Sequence, residues 1–417
     1  MNNPSEIKVP TIEERLAILR KWRGAHEFDK NVLYSKVPKG SYISNETASR
    51  DNIRRWASAM GDLNPRFTVP EYAARTKYGR LVAPPLFLQS VCFVGSGMLE
   101  TEIEGARGFH SGSEWEFYRP VLEGNELEFN GFSVIDAKVV ASKFSSEMII
   151  ITGACQYWNQ KKETVGLVKG FVHSSVADSA ARVTGKYEQI AKPYQYTDEE
   201  LQKIEEDKDK EEMRGDKPRY WEEVAEGDSL GHLVIGPHTI MDTIAHIAGT
   251  QGCFALGGTG SRLTRRWIKN MLLEGSKKGP EIWDARINAF VNGELAHLDY
   301  DLGRVTGAPG AYDTGAEREC LGSILLTNWM GDDGFLWKYN IQFRRFVVHG
   351  DTNWFQGRIT RKYVDDGKYC VDIELWADNQ WKNRTVVGGA TVILPSKVHG
   401  SVVFPTPRTI KDIMPKD

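Results

Sequence analysis

Ile53, Trp56, Ala57 and Met60 fall at i, i+3, i+4 and i+7, the spacing of one helix face. Asp51 precedes them, where free amides and the helix dipole favour negative charge. Ile244, Ile247, Ala248 and Gln251 occupy the same four slots, with Asp242 in the place of Asp51. Gly61 and Gly252 close the two predicted helices, as glycine does by taking the left-handed conformation. Apolar stretches follow in the same order. VAPPLF (82–87) opens one that runs to Met98, and GAYDTG (310–315) opens one that runs through Leu325, Leu326 and Trp329. Each predicts a long buried helix entered from a tight loop, and Pro84 or Pro85 suits a first helical turn. Alternating aromatic and β-branched residues predict hairpins in EFYRPVLEGNELEF (116–129) and QFRRFVVHGDTNWF (342–355), turning at Gly-Asn and Gly-Asp. Further strands are expected in SSEMIIITGACQYW and ETVGLVKGFVHS, then in KYCVDIELWAD and TVVGGATVILPS.

The spacing between matching features is nearly constant: Ala83 and Ala311 lie 228 positions apart, Gly124 and Gly350 226. The chain therefore reads as an internal duplication, two copies of one α+β unit in tandem. The expected organisation is an N-terminal helical extension (1–35), a first unit (36–180), a charged linker (181–220), a second unit (221–397) with a basic insertion (254–296), and a tail (398–417). YTDEELQKIEEDKDKEEMRGDKPRYW (196–221) is too polar to build a core and reads as a solvated, partly helical linker.

Composition narrows the partners. The chain has 417 residues, 41% hydrophobic and 26% charged, enough for two packed globular units. A formal charge of −3 gives no reason to expect nucleic acid or an anionic membrane surface. No stretch approaches the roughly 20 apolar residues that span a bilayer. The N-terminus carries charges throughout and lacks the apolar core of a signal peptide, so a cytoplasmic location is expected. Cys92, Cys155, Cys253, Cys320 and Cys370 are scattered without a CxxC pair, which suits buried thiols and argues against a metal site.

AMGDLNPRFTVPEYAARTKYGRLVAPPLF (59–87) resembles the hydration segment of the MaoC-like dehydratase and enoyl-CoA hydratase family, Gly-Asp-x-Asn-Pro-x-His-x-Asp followed by a short helix and a loop into a central helix. EWEFYRPVLEGNEL (114–127) is similar to that family's first long strand, and AHLDYDLGRVTGAPGAYD (296–313) fits the later part of the pattern. The resemblance covers about 40–180 and 225–395. It implies a tandem double hotdog of the α+β class, each half a curved antiparallel sheet around a long central helix. It also implies an enzyme that adds water to a 2-enoyl-CoA thioester or removes it from a 3-hydroxyacyl-CoA. The substrate brings coenzyme A and no other cofactor is implied; the assembly would be a homodimer or a hetero-oligomer with another hotdog protein. Such chemistry needs a water held between a carboxylate and an imidazole, and N–H donors for the enolate oxygen.

The residues depart from the family pattern. The first half keeps Asp62, Asn64 and Pro65 but has Phe67 at the histidine position and Val69 at the next aspartate. The second half keeps His297, while Cys253 stands opposite Asp62 and an insertion containing Arg265 and Arg266 separates the two. The family's pair is thus split between the halves. The catalytic candidates are His297, Asp62, Asp299 and Asp313, in three readings. The site is rebuilt around His297 with another acid, or Asp62 meets His297 across the halves, or the chain binds acyl-CoA without turning it over, as a subunit beside an active partner. A hotdog thioesterase is a further alternative. Asn64, Tyr312 and Gly315 are the candidate substrate contacts, with Arg265 and Arg266 as grips for coenzyme A phosphates. Plainer roles stand beside these: Asp62 and Asn64 shaping a turn, Asp313 capping a helix, His246 packing, and the basic insertion a solvated helix face.

Overall fold

The computed structural model describes residues 11–21, 45–93, 106–130, 133–141, 147–176, 193–251 and 281–414. Cys253, Arg265, Arg266 and most of the basic insertion lie outside these residues, as does the end of the first expected long helix at Met98.

The strands are β1 (Ala106–Phe117), β2 (Leu127–Phe129), β3 (Ser133–Ala141), β4 (Glu147–Asn159), β5 (Thr164–Val176), β6 (Ser229–Ile235), β7 (Glu281–Asp284), β8 (Ala289–Asn292), β9 (Phe335–Phe343), β10 (Asn353–Asp365), β11 (Lys368–Asn379) and β12 (Arg384–Ile393). Ten of them form one antiparallel sheet in the order β2-β4-β5-β1-β9-β12-β11-β10-β6, with β3 also on β4. Outward from the β1–β9 seam the order reads β5, β4, β3 on one side and β12, β11, β10 on the other. This two-fold arrangement is the double hotdog, and it realises the repeat as a shared sheet.

The seam depends on close backbone approach. Gly112 faces Gln342 with φ +140, and a Cβ there would overlap the Ile341 carbonyl oxygen. Gly112→Ala is expected to cost roughly 3 kcal/mol or more through steric overlap and backbone strain. A thermal melt that matches wild type would show that the halves do not depend on this contact.

The second central helix, Gly315–Met330, is the apolar rod the sequence predicts; Thr314 caps it and Gly331, at φ 70, ends it. It is buried along nearly its whole length against β9 and β1, as a helix without a solvent face must be. Its first-half counterpart among the described residues is a 3-10 helix, Pro85–Ser90, followed by a turn at Val91.

Neither expected hairpin forms. β1 pairs with β5 and β9 while β2 pairs with β4, and β9 pairs with β1 and β12 while β10 pairs with β11 and β6. The Gly-Asn and Gly-Asp segments dock instead onto the loops that enter the central helices, through the bridges Val82–Leu122 and Tyr312–Val348. Long-range pairing of these loops wins over local closure. The polar linker does contain a helix, Asp198–Lys208, opened by a capping box of Thr197 and Glu200.

The helix Arg50–Ala59 buries Ile53, Trp56 and Ala57, the predicted face. Its partner does not follow the prediction. Ile240–His246 runs into a π turn, Ile247–Gln251, and the buried positions are Thr243, His246, Ile247, Gly249 and Thr250, with Ala248 exposed. The buried face lies one residue earlier than predicted, and Thr243 and His246 are already on it before the π turn begins. Gly249 then packs so tightly on Ala59 that a Cβ would overlap it. The inward face is therefore polar, and it forms one wall of the site described next.

Candidate functional site

In the first half, Asp62 is buried and accepts the Asn64 N–H at 3.0 Å, while Asn64 caps the short helix Pro65–Thr68 by accepting the Arg66 N–H at 3.0 Å. These are turn-forming bonds. Phe67 is fully buried. The segment that follows grips the other half: Arg66 donates to the Asp332 carbonyl at 3.0 Å, Tyr72 to the Asp332 carboxylate at 2.7 Å, and Lys77 to the Asp333 carbonyl at 3.1 Å. Among the described residues no hydrogen bond or ion pair links Asp62 to a histidine.

Burial raises the Asp62 carboxyl to about 6, against which its bond from Asn64 and the Arg66 charge act weakly. The fold thus favours protonated Asp62. Its contribution to stability is fully present below the ordinary value of 3.8 and is lost as pH rises through about 6. Asp62→Asn keeps an acceptor for Asn64 and does not titrate. Wild type is expected to lose stability relative to this variant between pH 4 and pH 7. Parallel urea midpoints over that range would refute the assignment.

The second half gathers four of the chain's nine histidines around the start of the central helix. His238 follows β6, and its backbone is tied on both sides to the turn before β10: its N–H donates to Asp351 at 2.8 Å and its carbonyl accepts from Gly350 at 2.6 Å. Its Nε2 lies 2.8 Å from Glu317 Oε1, with both side chains buried. The Thr243 hydroxyl reaches the other Glu317 oxygen and His349 Nε2, each at 3.4 Å. His246 Nδ1 lies 3.0 Å from the hydroxyl of Thr314, which also accepts the Glu317 N–H at 3.0 Å. The rings of His238 and His349 are 5.3 Å apart.

His297 ends a 3-10 turn, Gly293–His297, behind the β7–β8 hairpin. Its Nδ1 is 3.1 Å from the Tyr312 carbonyl oxygen, and its ring lies 4.2 Å from the Tyr312 ring. A carbonyl can only accept, so Nδ1 is the donor and Nε2 is the nitrogen left to take a proton. That nitrogen is 3.9 Å from Glu294, and the side chain is 18% exposed. A positive charge on His297 would add to the causes that depress His246 and His349.

The ring pKa values diverge. Burial pushes His238 down, but the charge and hydrogen bond of Glu317 override it and lift the ring to about 9. Burial lowers His246 and His349 to about 4 each, aided by neighbouring imidazoles. Burial likewise works against the Glu317 charge, yet His238 outweighs it and holds the carboxyl below its usual range.

The other sequence-derived candidates have structural partners here. Asp299 caps the helix Tyr300–Val305 and pairs with Arg286 at 2.8 Å. Asp313 is held by Nε and Nη2 of Arg318. Gly315 is covered by the rings of His110 and Phe343, which leave no room for a Cβ. Sequence reasoning missed His238, Glu317 and Thr243 and assigned His246 to packing. One signal was available: His238 just before, and Thr243 and His246 on, a helix whose apolar face is weak.

Residues 43–167 match the FAS1-like dehydratase domain region. A UPF0336 protein of Streptomyces avermitilis is 33% identical over 82 residues, 19% of this chain and 55% of that one. The chain thus spans little more than half that relative's length. A UPF0336 protein of Streptomyces coelicolor is 30% identical over 108 residues, 25% of this chain and 69% of that one. Among solved structures, a MaoC-like dehydratase superposes with a TM-score of 0.58 at 17% identity, covering 87% of this chain and 99% of that one. No helix of the described residues is long and apolar enough to cross a membrane.

Proposed function

We propose, from the premise that this chain belongs to the UPF0336 family and carries the double hotdog of MaoC-like dehydratases, that it adds water to a 2-enoyl-CoA or removes it from a 3-hydroxyacyl-CoA. The observation that carries this reading is the bond from His297 to the Tyr312 carbonyl, which holds a basic imidazole nitrogen beside the loop entering the central helix. The first-turn amides of that helix, at Gly315 and Ala316, are ones the helix cannot satisfy itself, and they suit a developing enolate oxygen. Addition then proceeds as follows. Water loses a proton to His297 Nε2 as its oxygen bonds to C3, the C2=C3 pair moves onto the thioester oxygen, and C2 recovers the proton from His297. The electrons and protons balance without a further cofactor, coenzyme A arriving with the substrate. We place the protein in the cytoplasm.

A second reading has its own support. The first half lacks a proton-transferring group at Phe67, and Arg66 and Tyr72 beside it serve the contact with Asp332. That half is suited to binding an acyl chain, and the whole chain could serve as the acyl-CoA-binding member of a hetero-oligomer. Incubation with crotonyl-CoA and a bulkier enoyl-CoA decides between the readings. Loss of enoyl absorbance without free thiol supports hydration, and release of thiol indicates a thioesterase. Binding with neither change supports the non-catalytic subunit.

A further inference from the structure

Three ring nitrogens of the histidine cluster are buried without a hydrogen-bond partner: Nδ1 of His238, Nδ1 of His349 and Nε2 of His246. Buried polar atoms are nearly always paired, and several orphaned together mark a polar space that a bound oxygen can fill. All three rings trace back to one residue. Glu317 holds His238 directly, holds His349 through the Thr243 hydroxyl, and is tied to His246 through its own N–H and the Thr314 hydroxyl. It sits in the first turn of the central helix, where the dipole favours a carboxylate.

Resting on the hydratase reading above, we propose that Glu317 is the carboxylate of the reaction centre, a positioning residue that anchors His238 and orients His246 and His349 so that their unpartnered nitrogens receive the water, or the 3-hydroxyl, of the reaction. Three carboxylates bear on His238: Glu317 and Asp313 from the central helix and its entry loop, and Asp242 from the helix that follows His238. His349 and His246 are the rings that share its surroundings. Burial and these charges set His238 near 9 and the other two rings near 4. Neighbouring groups driven to opposite sides of neutrality are the pattern of a working acid–base site. Glu317 and His238 keep their charges throughout the cycle, because the proton that water gives to His297 is the one C2 receives.

The test compares Glu317→Gln and Glu317→Asp with wild type, using crotonyl-CoA hydration across pH 5 to 10 and the ¹⁵N signals of labelled histidines. Expected for Glu317→Gln are a kcat lower by about 100-fold or more, a KM within about threefold of wild type, and a basic limb of the pH profile moved down from near 9. The His238 ring should be an imidazolium at pH 7.5 in wild type and neutral in Glu317→Gln, and Glu317→Asp should restore much of kcat. If Glu317→Gln does not fold, His238→Gln carries the same kinetic comparison. An active wild type with an unmoved profile in the folded variant, or a neutral His238 in wild type, overturns this inference and leaves the hydratase reading intact. A wild type that hydrates no enoyl-CoA overturns both.

Discussion

His297→Ala lowers kcat/KM for crotonyl-CoA hydration by about 10²- to 10⁴-fold, the range for losing a general acid–base group. The argument is geometric. The Tyr312 carbonyl fixes Nδ1 as a donor, which leaves Nε2 as the proton acceptor. The ring is partly exposed, so its loss should leave the fold standing, with circular dichroism and melting close to wild type. His297→Asn refines the result, since its amide can still donate to Tyr312 but cannot carry a proton. Equal loss in both variants assigns the effect to proton transfer. Recovery in the asparagine variant would assign it to holding the loop, and full activity in either would remove His297 from the chemistry.

Glu319→Ala destabilises the protein by about 3–5 kcal/mol, the scale for removing one member of a buried polar pair. Glu319 lies on the buried central helix of the second half and receives Ser113, Trp115 Nε1 and, at 3.1 Å, His110 Nε2, all from β1 of the first half. Truncation strands three buried groups at once, and each orphaned donor costs about 1–3 kcal/mol. At about 2–4 °C per kcal/mol, the melting temperature should fall by about 6–20 °C. Glu319→Gln can keep some of these bonds and should fall less. A melt within 2 °C of wild type for the alanine variant would mean that this contact does not hold the halves together.

Legibility differed from element to element. The central helix 315–330 and the strands 147–176 and 368–393 were plain, because their burial is continuous and leaves an unbroken apolar or alternating pattern. The two turns at Gly124 and Gly350 were read as hairpins because a Gly-Asn or Gly-Asp between strands is a local signal. Their real partners, Val82 and Tyr312, lie 40 and 36 residues upstream of Leu122 and Val348. His246 was read as packing because the expected helix phase put Ile244 and Ala248 inward. The buried face is instead set one residue earlier, at Thr243, His246, Ile247 and Thr250, and the polar residues on it hide that phase from a hydrophobic period.

By itself, the sequence determined that the chain is a repeat, that each copy is an antiparallel sheet with a helix, and that a phenylalanine stands at 67 and a histidine at 297. These follow from local composition and order, which burial and backbone preference act on directly. Tertiary structure alone decided which carboxylate meets which imidazole. Asp62, Asp299 and Asp313 took partners within 13 residues, in turns, caps and short-range ion pairs. Glu317 acquired His238 from 79 positions away. A buried charge must be paired wherever the fold brings a partner, and a linear reading cannot weigh partners that meet only after the chain has closed on itself.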